Sequence, residues 1–424
     1  MVQFYATFLI LFCSTLLSAQ RISERKLARQ IKNIPELAHA FVGVHIESVD
    51  DNKVSAQLNE DRYMTPASNT KLLTFLGAVQ TFSKLPALEF AIENNRLAHF
   101  RSTAYPLLLH PFYPDSLLFR FFKDRPVWKY HVSKTAPTPQ GPGWSWDDYN
   151  YYFAASRSVF PIYGNSVTAF KKDATLNLIP SFPLQKDSIQ TKFERMRQSN
   201  TFSFNPQNLS TEDTLNRPFI PSDSLFVKLL SDATLSDISL ASQPNDSLPW
   251  QTLYTQNETS LYKGLLQDSD NGIAEALLLM IANHHRGIFS PEIAIELLKA
   301  RWENWLPDPL EWVDGSGVSR YNMLTPRTLV AVLKQIEKHV NWETLQILFP
   351  KSGSLGTLKA YTQLKDVYAK TGTLRHNHNF SGYWESPKGN RYAFSIMVNH
   401  FTAPTAEIRK GISTLLNRIQ KKLK

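Results

Sequence analysis

The chain has 424 residues, and a hydrophobic content of 42% excludes a generally disordered protein. Its formal net charge of +9 favours an anionic polymer as a partner. Nucleic acid is not predicted, because the sequence has neither zinc-ligand spacing nor a single concentrated basic stripe. A chain of this length exceeds the usual size of one domain, so two or three domains are expected.

The N-terminal segment is typical of an export signal. Residues 1–19 carry no charged side chain, and an apolar run over residues 8–13 is followed by Leu17-Ser18-Ala19 before Gln20. This pattern predicts a cleaved signal peptide. A retained anchor is the alternative, but the run is short for crossing a bilayer, so at most peripheral membrane contact is expected. Because Cys13 is the one cysteine, the mature chain would need no disulfide.

Two β-hairpins are predicted, one near each end of the chain. Residues 41–46 have a strand pattern, Asp51-Asn52 a turn, and residues 53–58 the pattern of an antiparallel partner. The second hairpin is predicted over residues 382–398. Strands from both ends are expected to join one antiparallel sheet, with helices packed against it.

The first chemically informative string is Ser68-Asn69-Thr70-Lys71. Pro66 precedes it and an apolar run follows it, so the pattern predicts a helix that begins near Pro66 with Ser68 in its first turn. Residues three apart on a helix share a face, which places the Lys71 amine within reach of the Ser68 hydroxyl. A neutral Lys71 would take the serine proton. Alone, such a string is more often a solvated helix cap.

The region from residue 86 to residue 250 is richer in Pro, Ser, Asn and aromatic side chains, which predicts an irregular β-rich insert. The predicted division is therefore a signal peptide at 1–19, a catalytic domain formed by 20–85 and 251–424, and an inserted domain or domains at 86–250. No internal repeat and no low-complexity tract is present in the sequence.

The second string, Ser269-Asp270-Asn271, precedes an apolar helical run over residues 273–280, so it forms a loop or a helix start. There Ser269 would relay a proton towards a leaving amine. The Asn271 amide would hold Lys71 and a substrate amide. The alternative is an ordinary helix N-cap, for which Ser, Asp and Asn are all favourable.

The third string, Lys370-Thr371-Gly372, continues a β-favouring run and is followed by Thr373. This pattern predicts an edge strand beside a pocket. Lys370 would be a second cation that, with burial, lowers the pKa of Lys71 enough for it to act as a base. Gly372 would let a substrate backbone approach closely. The hydroxyls of Thr371 and Thr373 would join Lys370 in seating a substrate carboxylate.

Weaker copies of these strings occur elsewhere in the chain. Other Ser-x-x-Lys pairs begin at Ser23 and Ser260, another Ser-x-Asn at Ser203, and a Lys-Ser-Gly at Lys351, which is expected in a loop. The chain order and local context of the three selected strings separate them from these copies. Together they supply the groups needed to acylate a serine without a histidine.

In this order the three strings resemble those of the serine penicillin-recognising enzymes. The long stretch of residues 72–268 between the first and second strings is similar to that of the class C low-molecular-mass penicillin-binding proteins, which carry extra domains there. Residues 143–152, 314–326 and 356–358 also resemble segments of this family. The resemblance covers most of residues 37–403 in pieces.

The resemblance implies an α/β (α+β) fold of the serine β-lactamase/DD-peptidase type, with an antiparallel sheet flanked by helices and a β-rich insert between the first and second motifs. It implies a periplasmic D-Ala-D-Ala carboxypeptidase or endopeptidase that acts on peptidoglycan stem peptides, is inhibited covalently by β-lactams and needs no cofactor. Ser68 would be the nucleophile and Lys71 its base. Backbone N–H groups of Ser68 and Thr373 would stabilise the oxyanion, and Ser269 and Lys370 would return a proton to the leaving amine.

In the resembled family, a pocket for the diaminopimelate side chain is lined at positions that match Trp144, Asp147 and Tyr152 of the insert and Arg320. That side chain ends in an ammonium and a carboxylate, which Asp147 and Arg320 would pair respectively. The alternative is that Trp144 and Tyr152 pack the insert against the core while the two charges stay solvated.

Two segments depart from the family pattern. Residues 110–115 stand where the insert usually carries a Gly-Asp-Pro-like stretch, and residues 375–379 replace a short turn of small residues after the third motif. The pairs His376-x-His378 and His284-His285 suggest a metal site, but no Asp or Glu with ligand spacing accompanies them, so no metal is predicted.

Two other functions stay open. A β-lactamase-like hydrolase would share all three motifs, although this chain is long for one. A non-catalytic muropeptide-binding protein would tolerate loss of the motif residues, so acylation by penicillin separates it from an enzyme. The absence of a Gly-x-Ser-x-Gly elbow argues against an α/β-hydrolase triad.

Overall fold

The computed structural model of the protein describes residues 21–172, 175–186, 193–205, 214–242, 245–354 and 356–423. The predicted signal peptide lies outside these residues. Within them, no helix is both long enough and apolar enough to span a membrane.

The helices and strands are named here in chain order. The α-helices are α1 (Glu24–Lys32), α2 (Lys71–Thr81), α3 (Ser116–Lys123), α4 (Asp223–Thr234), α5 (Glu258–Leu266), α6 (Asn271–Arg286), α7 (Pro291–Trp302), α8 (Pro326–His339), α9 (Trp342–Leu348) and α10 (Thr405–Gln420). The strands are β1 (Phe41–Ser48), β2 (Val54–Leu58), β3 (Pro86–Ile92), β4 (Leu97–Ser102), β5 (Val127–Tyr130), β6 (Ser166–Lys172), β7 (Thr175–Ile179), β8 (Leu184–Lys186), β9 (Glu194–Arg195), β10 (Phe202–Phe204), β11 (Thr214–Pro218), β12 (Asp237–Leu240), β13 (Gln251–Tyr254), β14 (Val367–Leu374), β15 (Asn377–Glu385) and β16 (Arg391–Asn399).

The main sheet joins strands from both ends of the chain, as predicted. Its order is β14-β15-β16-β1-β2, and all its neighbours are antiparallel. In the register, Val44 of β1 lies opposite Ile396 of β16 on one side and Leu58 of β2 on the other. β14, which carries the third motif, is an edge strand of this sheet.

Helices cover both faces of this sheet, and the alternation of side chains along β16 shows how. Phe394, Ile396 and Val398 belong to one apolar core, with buried residues of α1 and α10. Ala393 and Met397, which point the other way, belong to a second core with α2, α6 and α8. Because both faces are buried, β16 is apolar along most of its length rather than alternating with polar residues. The predicted fold class is confirmed.

The insert is rich in β-strands but also contains α3 and α4. Its largest sheet has the order β12-β5-β4-β3-β13, and two smaller sheets have the orders β11-β6-β7 and β8-β10-β9. Since β13 pairs with β3, the largest sheet continues past residue 250, where the boundary was predicted.

The helix that carries the first motif begins with a tighter turn than predicted. A 3₁₀ turn over Ala67–Thr70 leads directly into α2, and Ala67 has a positive φ of 49°. The backbone of Gly317 packs directly on this turn. A Cβ atom at Gly317, which has a φ of 80°, would lie 1.9 Å from the Ala67 carbonyl oxygen.

We predict that Gly317→Ala destabilises the protein more than Gly287→Ala. Both glycines have positive φ, 80° and 65°, so each substitution costs about 1 kcal/mol through the backbone. At Gly287 nothing lies within 4 Å of the added Cβ, whereas at Gly317 the added Cβ collides with Ala67. Urea unfolding should therefore show a further loss of about 2 kcal/mol or more for Gly317→Ala. Equal losses would contradict the packing described here.

Candidate active site

The three sequence motifs meet at one point, where the first turns of α2 and α6 face the edge strand β14. Ser68 is half-buried in the 3₁₀ turn, and Lys71 is the first residue of α2. The Lys71 Nζ lies 3.1 Å from Ser68 Oγ. Lys370 on β14 donates to Ser269 Oγ at 2.8 Å, so the second and third motifs are joined as well.

The Lys71 amine is completely buried and has two further oxygen partners. It donates to Asn271 Oδ1 at 2.5 Å and to the Ser316 carbonyl oxygen at 2.6 Å. Both oxygens only accept hydrogen bonds. A neutral amine has two N–H groups, so these two acceptors would use both and leave the nitrogen lone pair facing the Ser68 hydroxyl. The geometry therefore orients Lys71 as an acceptor for the Ser68 proton.

Burial lowers the pKa of Lys71 to about 8, against the opposing field of the Asp314, Glu275 and Asp270 carboxylates. A group with that pKa is neutral in roughly a tenth of molecules at pH 7. Lys71 therefore holds a usable population of free base near neutral pH.

Lys370 is the second buried lysine of the site. Its Nζ donates to Ser269 Oγ and, at 2.7 Å, to the Thr371 carbonyl oxygen. Burial and the charge of Lys71 lower its pKa well below the ordinary value. The low pKa of Lys71 is caused by burial, whereas sequence analysis had expected the charge of Lys370 to contribute to it.

The glycine of the third motif serves contacts within the protein. A Cβ atom at Gly372 would lie 2.3 Å from the Pro66 carbonyl oxygen and 2.9 Å from the Ser68 amide nitrogen. The missing side chain therefore lets β14 pack directly against the turn that holds Ser68. Sequence analysis had assigned this freedom to an approaching substrate. Of the neighbouring threonines, Thr371 is buried, and the Thr373 hydroxyl lies 2.7 Å from His378 Nδ1.

The second motif is held in place by Asp270, which sequence analysis did not select. Asp270 caps α6 by accepting from the Ile273 amide at 2.9 Å, while Ser269 beside it has a φ of 62°. Two side chains of the insert contact the same carboxylate: Tyr152 donates to it, and His110 Nε2 lies 3.5 Å away. Burial favours the neutral acid, but the hydrogen bonds and charge of His110 and the hydrogen bond of Tyr152 hold the pKa of Asp270 below its ordinary value.

Asn271 is also fixed from the insert. Its Nδ2 donates to the Phe153 carbonyl oxygen at 2.7 Å, while its Oδ1 accepts from Lys71. The amide orientation follows from these two partners. Residues 110–115, which depart from the family pattern, contribute His110 to the same region, where it lies close to Asp270 beside Tyr152.

Two more buried carboxylates lie beside Lys71 and were missed by sequence analysis. Glu275 Oε1 accepts from the Ser316 amide at 2.8 Å, and Asp314 accepts from the Gly317 and Ser319 amides at 2.9 Å and 2.7 Å. Burial and the Glu275 charge raise the pKa of Asp314. A charged residue inside the apolar run 273–280 was the sequence signal for Glu275.

The predicted side-chain pocket is divided between anchored and free residues. Trp144 Nε1 donates to Asp314 Oδ2 at 2.8 Å, and Tyr152 is bound to Asp270 as described, so both join the insert to the core. Asp147 and Arg320 are exposed. Arg320 lies close enough to the acidic turn to oppose the rise in the pKa of Asp148 that burial and Asp147 cause.

The four histidines that sequence analysis considered for a metal site, His376, His378, His284 and His285, all contact other groups of the protein. His378 is buried between Thr373 and the Tyr361 hydroxyl, which lies 2.6 Å from its Nε2. His376 Nδ1 lies 2.8 Å from the Phe401 carbonyl oxygen, and the rings of His284 and His285 pack edge to face. In the described ranges, no group of three His, Cys, Asp or Glu side chains is placed to hold a metal ion.

Comparison with protein families places most of this chain in one of them. Residues 23–93 and 228–419 match the model of the D-Ala-D-Ala carboxypeptidase 3 (S13) family, so the match leaves out much of the insert. The chain is also similar to the D-alanyl-D-alanine carboxypeptidase DacB of Haemophilus influenzae, with 30% identity over 161 residues. That alignment spans 35% of this chain and 33% of the length of the relative.

Solved structures share the whole fold. The crystal structure of penicillin-binding protein 4 (dacB) from H. influenzae has a TM-score of 0.72 and 19% identity, covering 94% of this chain and 99% of that one. The same protein complexed with a β-lactam has a TM-score of 0.67. A predatory peptidoglycan endopeptidase from Bdellovibrio bacteriovorus has a TM-score of 0.52 and 15% identity, covering 89% of this chain and 93% of that one.

Proposed function

Because this chain belongs to the D-Ala-D-Ala carboxypeptidase 3 (S13) family, we propose that it is a serine D-Ala-D-Ala peptidase of peptidoglycan stem peptides that β-lactams inhibit covalently. The observation that carries the proposal is the buried Lys71 amine, 3.1 Å from Ser68 Oγ, with its other two hydrogen bonds made to carbonyl oxygens. The names of its relatives support the substrate class: one is a D-alanyl-D-alanine carboxypeptidase and another was crystallised with a β-lactam. The predicted signal peptide supports a periplasmic location.

In the acylation step, Ser68 Oγ attacks the carbonyl carbon between the two terminal D-alanines as Lys71 takes its proton. The developing oxyanion lies between the backbone N–H groups of Ser68 and Thr373. The close packing of Gly372 on the Ser68 turn supports this arrangement, because it fixes β14 against the turn. The C–N bond then breaks, and the Ser68 ester remains.

The leaving amine needs a proton, and Ser269 supplies it while the proton that Lys71 took from Ser68 passes to Ser269. This net transfer leaves Ser269 a hydroxyl and Lys71 neutral again. The Ser269 hydroxyl accepts a hydrogen bond from Lys370, which stabilises the oxygen as it gives up its proton. A bound substrate carboxylate would restore the charged form of Lys370, since an opposite charge favours the ammonium. Water then attacks the ester as neutral Lys71 takes one of its protons, and Lys71 returns that proton to Ser68 Oγ as the ester bond breaks. When the leaving amine is free D-alanine, the reaction is a carboxypeptidase reaction, and when it belongs to a cross-linked stem, it is an endopeptidase reaction.

Two reactions that both require Ser68 test the proposed function: the formation of a penicillin adduct and the cleavage of muropeptides. Penicillin should add one penicilloyl group, mapped by mass spectrometry to the peptide that contains Ser68, and purified muropeptides should lose D-alanine or their cross-link. Ser68→Ala should abolish both. Rapid hydrolysis of the penicilloyl adduct, together with muropeptides that stay uncleaved, would indicate a β-lactamase. Binding of muropeptides without formation of any penicillin adduct would indicate a non-catalytic protein. Either result, or an adduct on another serine, would overturn the proposal.

Lys370 is distinguished from its sequence copy at Lys351 by a matched pair of variants. Lys370→Ala removes the buried amine that contacts Ser269 and that would be charged once a carboxylate binds, and we expect acylation by penicillin to slow roughly a hundredfold, or about 3 kcal/mol. The Lys351 side chain is 43% exposed and its Nζ pairs with Asp366 at 2.7 Å, so Lys351→Ala should leave the rate nearly unchanged. The acylation rate constants of both variants decide, and equal effects would mean that the third motif was chosen wrongly.

The side-chain specificity is assigned to the exposed charges. We propose that Asp147 pairs with the ammonium, and Arg320 with the carboxylate, of a diaminopimelate side chain, while Trp144 and Tyr152 hold the insert in position beside them. A hydrogen bond to a charged group contributes about 1.5–3 kcal/mol. Asp147→Asn should therefore lower kcat/KM roughly 10- to 100-fold for a peptide with a diaminopimelate end.

The control for this prediction is a generic acyl-D-Ala-D-Ala substrate, whose kcat/KM the Asp147→Asn variant should leave almost unchanged. Asp148→Asn is the matched variant, because it removes the neighbouring carboxylate of the same turn. Asp148 is partly buried beside Asp147, whereas Asp147 is exposed. Equal losses on both substrates would show that Asp147 has a structural role and that the specificity pocket lies elsewhere.

A further inference from the structure

Arg157 is a buried cation of the insert that the proposed mechanism does not use. Its side chain has no exposed surface, and that of Glu275 on α6 is 4% exposed. The guanidinium Nε and Nη2 lie 2.8 Å and 2.6 Å from Glu275 Oε2. A buried charge pair is costly to desolvate and is a weak source of stability by itself. Stability alone therefore does not explain the Arg157–Glu275 pair, and its position beside Lys71 points to a role in the site.

The pair is linked to the base through one backbone group. While Oε2 of Glu275 contacts Arg157, its Oε1 accepts from the Ser316 amide at 2.8 Å. The carbonyl of the same Ser316 accepts from Lys71 at 2.6 Å. Displacement of the Glu275 carboxylate would therefore move one of the two acceptors that orient the Lys71 amine.

A second contact of Arg157 leads to Asp314. The guanidinium lies over the Trp144 ring, 5.3 Å from its centroid, and Trp144 donates to Asp314 Oδ2 at 2.8 Å. A Cβ atom at Gly141 would lie 2.5 Å from Trp144 Nε1 and 2.9 Å from Arg157 Nη2. The backbone at residue 141 thus closes directly over this stacked pair, which keeps the guanidinium in place.

The charges that act on Lys71 are negative and include that of Glu275, the partner of Arg157. Three carboxylates face the base: Asp270 and Glu275 from α6 and its cap, and Asp314 from the loop after residue 313. Asp270 has His110 and Tyr152 as partners, and the contacts of Asp314 are neutral donors: Trp144, Asn322 and backbone amides. Lys370 is the other cation near the base, but its own pKa is strongly lowered. Arginine, in contrast, keeps its charge at every pH at which the protein is folded.

We propose that Arg157 is a positioning residue for the base: its permanent charge offsets the Glu275 carboxylate, and its Nε hydrogen bond and Nη2 ion-pair contact hold that carboxylate against the Ser316 amide. The inference rests on the proposed function, because it takes Lys71 as the base of acylation. Without Arg157, an uncompensated carboxylate would favour the protonated, inactive form of Lys71.

The test is the pH dependence of penicillin acylation in four variants of the full chain. Arg157→Met should move the midpoint of the acid limb up by about 0.5–1 pH unit, since Lys71 would hold its proton more tightly. Glu275→Gln keeps an acceptor for the Ser316 amide but removes the charge, so it should move the midpoint down by a similar amount. The double variant Arg157→Met/Glu275→Gln should return close to the wild-type midpoint, and so should Arg157→Lys, which keeps the charge.

A purely structural Arg157 would lower the rate or the melting temperature without these opposite shifts. Unshifted midpoints in a protein whose wild type is acylated, or shifts of both single variants in the same direction, would overturn this inference alone. If Arg157→Met does not fold, the difference between Glu275→Gln and the double variant decides in the same way. Absence of wild-type acylation at every pH would instead overturn the proposed function, and this inference with it.

Discussion

The complete burial of the Lys71 amine is the constraint on which this site depends. Lys71 has no exposed surface, so each of its hydrogen bonds must come from the protein, and the partners come from three separate parts of the chain: Ser68, Asn271 and the Ser316 carbonyl. Burial lowers its pKa and the surrounding carboxylates raise it. The chemistry proposed for the site requires that these two effects stay balanced near neutral pH.

The insert takes part in this balance, although none of the three motifs lies in it. Its side chains reach Asp270 through Tyr152 and His110, its Phe153 carbonyl fixes the Asn271 amide, and Arg157 pairs with Glu275. The second motif is thus held between α6 and the insert. A change in the insert therefore acts on the surroundings of Lys71 through defined hydrogen bonds.

The sequence predicted the parts of the site whose signals are local. The strand that carries Lys370, the start of α6 at Asn271 and the helix after Ser68 each follow from residues that are neighbours in the chain. The joining of strands from both ends of the chain in one sheet also followed, because the two predicted hairpins have clear turn and strand patterns. These elements fix the fold class and bring the motifs to the same edge of the sheet.

The remaining parts depend on contacts between distant residues, which no periodicity records. Arg157 and Glu275 lie far apart in the chain and pair only because the insert folds back on α6. The sequence likewise did not indicate that Gly372 packs against the Ser68 turn, because the close approach of a substrate backbone explains a glycine there equally well. Burial as the main cause of the low pKa of Lys71 could not be separated from the charge of Lys370 until both side chains had positions.

The central claim is that Lys71 is a lysine that loses its proton near neutral pH while the protein is folded. The most direct measurement is an NMR titration of protein with ¹³C-labelled lysine side chains, in which the Lys71 signal is assigned from its loss in Lys71→Arg. The account predicts a titration midpoint of about 8, below that of the exposed lysines in the same spectrum. A midpoint at the ordinary lysine value of 10.5 would contradict it.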